Sequence, residues 1–164
     1  AEYFFPDGDN ELHQNYINKK EHFFRNNIIN LKPIDGLMDL LSWALQNSLL
    51  MALVTAAPKK NKDASLCALG LEDAFDVVIL GYDLERNKPD PLPYQTALNR
   101  LGVQAGEAIG FEDSPHGIIS VSGAGVYTVG VTSTVAASDL LSNGADITIS
   151  NYRDNTLWEQ LMRK

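Results

Sequence analysis

Five short apolar runs dominate the chain: "LMALVT" at 50 to 55, "DVVIL" at 76 to 80, "AIGF" at 108 to 111, "VYTVGV" at 126 to 131 and "ITI" at 147 to 149. Stretches with helical periodicity separate them. Runs this short suit buried strands better than helices, and strands joined through a helix must lie parallel. The pattern predicts β-α crossovers and a mostly parallel sheet covered by helices, an α/β fold. Helices are expected at 36 to 47, 61 to 69, 91 to 101, 115 to 124, 135 to 142 and 154 to 163, with Gly70 and Gly102 closing two of them. Ahead of this region, residues 11 to 30 set Leu12, Tyr16, Ile17, Phe23, Phe24, Ile28 and Ile29 at roughly helical spacing among polar residues. They predict one long amphipathic helix. The stretch "NLKPIDG" at 30 to 36 reads as a hinge between that helix and the rest.

Composition narrows the partners. The 164 residues, 45% of them hydrophobic, suffice for one domain with a core. A net charge of -8 argues against a nucleic-acid backbone or an anionic membrane as the main partner. Small phosphorylated metabolites remain, since a local cationic pocket can form on an acidic protein. The single cysteine, Cys67, excludes an internal disulfide. No apolar run is long enough to cross a bilayer and no signal or lipidation motif is visible at the start, so the cytoplasm is the expected compartment.

In a parallel sheet, ligands sit beyond the carboxyl ends of the strands. The first predicted strand ends in Thr55 and runs into "AAPKKN"; the second is followed by "GYDLERNKPDP", with Lys88 before Pro89; the third ends in Glu112 and Asp113 before a Ser-Pro step. A hydroxyl with free backbone N–H groups suits a phosphate oxygen, a lysine neutralises its charge, and hard carboxylate oxygens suit magnesium. Together they describe a phosphate and metal site. Plainer roles stand beside these. Asp113 or Ser114 can cap a helix whose first residue is Pro115, Lys88 can be a solvated loop residue, and Thr55 fits a strand end by β-propensity alone. Lys59 and Lys60 read as a solvated helix start, and His13 and His22 as surface residues. His116, three residues past Asp113, is a candidate substrate contact.

In this order and at this spacing, "LVTAAPKKN", "NKPDPLPY" and "GFEDSPHGI" resemble the second, third and fourth motifs of the haloacid dehalogenase superfamily of phosphatases and phosphomutases. The chain is most similar to the branch with phosphoglycolate phosphatase and β-phosphoglucomutase, from about Tyr16 to the end. The resemblance implies a Rossmann-like three-layer α/β/α core over residues 33–164, with residues 1–32 as the remnant of a helical cap. It implies that Thr55 and the backbone of Ala56 bind the transferring phosphoryl group, that Lys88 stabilises its charge, and that Glu112 and Asp113 hold Mg2+. Where the family often has Asn, this chain has Ala56. The implied substrate is a small phosphorylated metabolite, phosphoglycolate or a hexose phosphate for example, and hydrolase and mutase both remain open.

The family's first motif, an Asp-x-Asp pair whose first member attacks phosphorus, has no good counterpart here. Asp7 and Asp9 in "PDGDNEL" have the spacing, but Pro6 precedes them, only "YFF" at 3 to 5 could be the strand, and Asn10-Glu11 replace the expected Gly-Thr. A proline cannot donate to the ladder of a central strand. A calcium loop fails as well, because Asn18 stands where the bidentate Glu is needed. The resemblance thus implies the carboxyl-terminal part of the fold, lacking the nucleophile strand and early cap helices, about 60 to 80 residues at average element lengths. That strand would lie between those ending at Thr55 and Asp113, leaving two edges open to another chain or to the protein's own N-terminal segment, unless the two strands close up. Two functions follow: a magnesium-dependent phosphohydrolase working through a phosphoaspartate, seen without its nucleophile, or a truncated, catalytically inactive binding module.

Overall fold

The computed structural model of the chain describes Asp7 and residues 9 to 162. These form two units, the described residues up to 32 with 58–72, and residues 33–57 with 73–162. The "YFF" run at 3 to 5 lies outside the described residues.

The first unit holds α1 (Asn10–Asn27), a 3-10 turn (Ile28–Asn30) and α3 (Lys59–Leu69). The Asp9 carboxylate caps α1, accepting from the Leu12 N–H at 2.8 Å. The expected long amphipathic helix forms, yet none of its residues is buried and Phe23 is 70% exposed. Polar contacts join α1 to α3: Arg25 donates to the buried Asn61 side chain at 2.7 Å, and Asn61 donates to Glu21. α3 thus groups with α1, although in sequence it is the crossover helix between two strands of the other unit.

The second unit contains α2 (Leu37–Gln46), β1 (Ala52–Thr55), β2 (Val77–Leu80), α4 (Leu92–Leu101), β3 (Ile109–Glu112), α5 (Pro115–Gly123), β4 (Tyr127–Val131), α6 (Ala137–Ser142), β5 (Ile147–Ile149) and α7 (Asn155–Leu161). Every strand pairing is parallel, as the crossovers require. The strands form two sets rather than one sheet. β1 pairs β2 with Thr55 opposite Leu80, while β3, β4 and β5 form a separate three-stranded sheet in that order. Among the described residues β1 and β3 are not hydrogen-bonded to each other. Direct closure of the two edges, one of the two expected outcomes, does not occur.

The three-stranded sheet is covered on both faces. On one, Val129, Val131 and Ile149 pack with Leu157 of α7; on the other, Ile118 of α5 and Leu140 of α6 form a second buried cluster. Glycine makes that second face approachable: a Cβ at Gly130 would lie 3.1 Å from Leu140, and one at Gly110 would collide with Val121. α4 packs on β1 and β2. No helix among the described residues is long and apolar enough to cross a membrane.

Leu140 is wholly buried and its neighbour Leu141 is 47% exposed. Leu140→Ala should lower the unfolding free energy by about 2 to 5 kcal/mol, and Leu141→Ala should change it by no more than about 0.5 kcal/mol. Urea denaturation of both variants measures this, and equal losses would contradict the assignment of this face as core.

Candidate active site

The carboxyl ends of β1 and β3 and the loop after β2 bring the predicted residues together within the second unit. Lys88 is central. Its Nζ donates to the Val54 carbonyl oxygen of β1 at 3.0 Å and forms an ion pair with Oε1 of Glu112 at the end of β3. The ammonium therefore bridges the two sets of strands. Both side chains are largely removed from water, 12% exposed for Lys88 and 8% for Glu112.

The loop carrying Lys88 is fixed along its length. The Lys88 N–H donates to the Asn87 side chain at 2.7 Å, the Lys88–Pro89 peptide is cis, and Ser120 of α5 donates to the Asp90 carbonyl oxygen at 2.6 Å. Asp90 also accepts from the Leu92 N–H at 2.9 Å, and Pro91 and Pro93 hold the start of α4. One turn in, the Tyr94 hydroxyl donates to Oε1 of Glu112, and the Lys88 ammonium lies 5.3 Å from the centre of the Tyr94 ring. The other carboxylate oxygen of Glu112 rests against Gly117, where any Cβ would collide with it.

Asp113 is exposed and accepts from the Ser133 hydroxyl at 3.2 Å. The capping role falls to Ser114, whose hydroxyl accepts from the Gly117 N–H at 3.1 Å with Pro115 at the first helical position. Asp113 is thus not needed as a helix cap. Thr55 accepts from the Ala57 N–H through Oγ1 at 3.0 Å, and Ala56 is exposed. Among the described residues no third Asp, Glu, His or Cys joins Glu112 and Asp113 in a metal-holding group.

Other expected roles resolve simply. Lys59 pairs with Asp63 at 2.7 Å one turn along α3, with Lys62 also on Asp63, and the two lysines hold that carboxyl below its usual range. His22 shares a hydrogen bond of 3.0 Å with Asn26, and His116 is exposed. Asp9 caps α1 and Asp7 lies exposed in a turn, so neither ends a described strand. Two shallow surface depressions, about 450 and 550 Å³, are lined by α1 and α7 residues and include none of the predicted site residues.

Sequence reasoning missed two tyrosines. Tyr94 closes the quoted "NKPDPLPY" run, so its position was the only signal. Burial, reinforced by the charge and hydrogen bond of Glu112, holds its phenol above the ordinary range. Tyr152, edge-on to Phe111 at 5.5 Å, gave no signal at all. Its phenol is pushed up to about 12, by burial first and then by the negative charges of Asp113 and Glu112.

The strand ends of a parallel α/β core thus carry a lysine–carboxylate bridge and, beside it, an exposed aspartate. The sequence profile of haloacid dehalogenase-like hydrolases matches residues 1–131, and the chain belongs to that family. Within it the chain falls in the branch of phosphoglycolate phosphatase and β-phosphoglucomutase. It is 37% identical over 121 residues to a validoxylamine A 7'-phosphate phosphatase of Streptomyces hygroscopicus subsp. limoneus, covering 74% of this chain and 56% of that one. It is 34% identical over 94 residues to a phosphoglycolate phosphatase of Pectobacterium atrosepticum, covering 57% and 40%. The fold matches a family IA, variant 3 hydrolase of this superfamily from Entamoeba histolytica, with a TM-score of 0.83 and 23% identity over 99% of this chain and 77% of that one. The chain spans about half the length of the curated relatives it matches.

Two outcomes follow from this geometry. Lys88→Met strands a buried Glu112 carboxylate and should cost about 3 to 5 kcal/mol, whereas the Lys88→Met/Glu112→Leu double variant should cost less than either single change; additive losses in urea denaturation would disprove the coupling. The folded Tyr152 phenol keeps its proton up to about 12, while an unfolded tyrosine loses it near 10. Its contribution to stability is complete below pH 10 and is lost as pH rises to 12. Tyr152→Phe should therefore flatten the fall in unfolding free energy over that window, and an unchanged slope would refute the assignment.

Proposed function

We propose that this chain is the phosphoryl-binding and metal-binding part of a magnesium-dependent phosphohydrolase that acts on a small phosphorylated metabolite through a phosphoaspartate. The observation that carries the reading is the Lys88 bridge, which sets a buried ammonium at the strand ends beside Thr55 and the acidic pair. Thr55 already accepts from the Ala57 N–H, so its own proton is available to a phosphoryl oxygen. Ala56 contributes a backbone N–H only. Lys88 spreads positive charge over the phosphoryl group and its attacker.

The acidic pair fits magnesium, which takes one or two protein carboxylates and keeps several waters. Asp113 is open to solvent, and Glu112 stands beside it with one oxygen engaged by Lys88 and Tyr94. When bound, the ion neutralises charge on the phosphoryl oxygens. On this reading residues 33–164 are the catalytic core and residues 1–32 the end of a cap. The nucleophilic aspartate is assigned to a further strand of the same protein, pairing between β1 and β3. Support comes from the separation of those two strands and from the commitment of Asp9 to capping α1. The phosphatase names of two relatives favour a phosphate ester as substrate.

The test is turnover of p-nitrophenyl phosphate and a panel of sugar phosphates and phosphoglycolate by the full-length protein. Activity should require Mg2+ and disappear with EDTA, and Lys88→Ala should lower kcat by about 100-fold or more. The 164 residues alone should give no turnover. Magnesium-dependent turnover by this chain alone would remove the need for a separate nucleophile strand. A full-length protein that binds phosphate without turnover would be the inactive binding module instead.

A further inference from the structure

Glu112 is held more tightly than a metal ligand or a lysine partner alone requires. Its Oε1 receives two donors, the Lys88 ammonium from the loop after β2 and the Tyr94 hydroxyl from the first turn of α4. Its other oxygen abuts Gly117 in the first turn of α5. An ammonium facing an otherwise free carboxylate can swing between the two oxygens. A second donor on Oε1 and a wall beside Oε2 select a single arrangement.

Tyr94 also constrains the lysine. The ammonium lies 5.3 Å from the ring centre, within the reach of a cation–π attraction, so the same side chain touches both members of the pair by different chemistry. The loop that sets Tyr94 is itself anchored to α5 through Ser120 and Asp90. We propose that Tyr94 is a positioning residue of the candidate active site: its hydroxyl fixes the Glu112 carboxylate and its ring fixes the Lys88 ammonium, so that Glu112 is held in one orientation beside Asp113. The proposal rests on the phosphohydrolase reading, in which Glu112 and Asp113 hold magnesium.

The experiment compares the full-length protein with Tyr94→Phe, which keeps the ring and removes the hydroxyl, and with 4-fluorophenylalanine at position 94, which also fills the hydroxyl's volume. Isothermal titration with MgCl2 in the absence of substrate, thermal melting, and kcat and KM are measured for each. Removing a group that orients a metal ligand weakens metal affinity by about 10-fold or more, so that loss is expected in both variants. A fall in kcat at constant KM should accompany it, with melting temperature little changed. Magnesium affinity and kcat within twofold of the parent would overturn the proposal, as would two variants that fail to fold, because the hydroxyl would then serve the fold. Glu112→Gln separates the two levels. If it leaves magnesium affinity unchanged, the reading of the acidic pair fails; if it weakens affinity while the Tyr94 variants do not, only the role of Tyr94 fails.

Discussion

The Lys88 ammonium is the constraint around which the strand ends are organised. It belongs to a loop after β2 but binds the backbone of β1 and the side chain of β3, linking strands that no ladder hydrogen bond joins. A charge this far out of water is tolerated only with a partner close by. Glu112 must therefore turn inward, with Oε1 on the ammonium and its other oxygen, Oε2, excluding any side chain at Gly117. The helix that follows starts with Ser114 as its cap, so the neighbouring carboxylate of Asp113 faces solvent. One buried cation thus divides two adjacent acids into an inner and an outer one.

The core supplies the rigidity this requires. β4 pairs with β3 along its whole length, from Ile109 opposite Tyr127 to Glu112 opposite Gly130. Gly110 and Gly130 let α5 and α6 lie close on one face, while Val129 and Val131 fill the other with Leu157. Through Ser120, α5 also holds the lysine loop. The elements that bury the core are thereby those that aim the site, and a shift of α5 would move the Lys88 loop and Gly117 together.

Much of this was legible in the residues. The strands fall within two residues of the apolar runs and the helices close to their expected bounds, because buried parallel strands need continuous apolar sequence and the αL closures at Gly70 and Gly102 mark helix ends. The short 3-10 turns at Gly81–Asp83 and Ala105–Glu107 escaped, being too brief to carry a period. So did the split of the strands into two sets, since hydrophobic pattern specifies that a run is a strand but not its neighbour. The paired acids were noticed, but their different environments could not be, because the donors to Glu112 come from 18 and 24 residues away.

By itself the sequence determined the α/β class, the crossover order, the helix closures at Gly70 and Gly102 and the motif residues that end the strands. Each of these depends on near neighbours in the chain, through periodicity, capping chemistry and the stiffness of proline. Tertiary structure alone decided that Lys88 spans two sheets, that Tyr94 joins it on Glu112, that Tyr152 stands near the acidic pair, and that Asn61 joins α3 to α1. Those contacts join residues distant in sequence. Their geometry follows from how the helices and strands pack, which local pattern cannot encode.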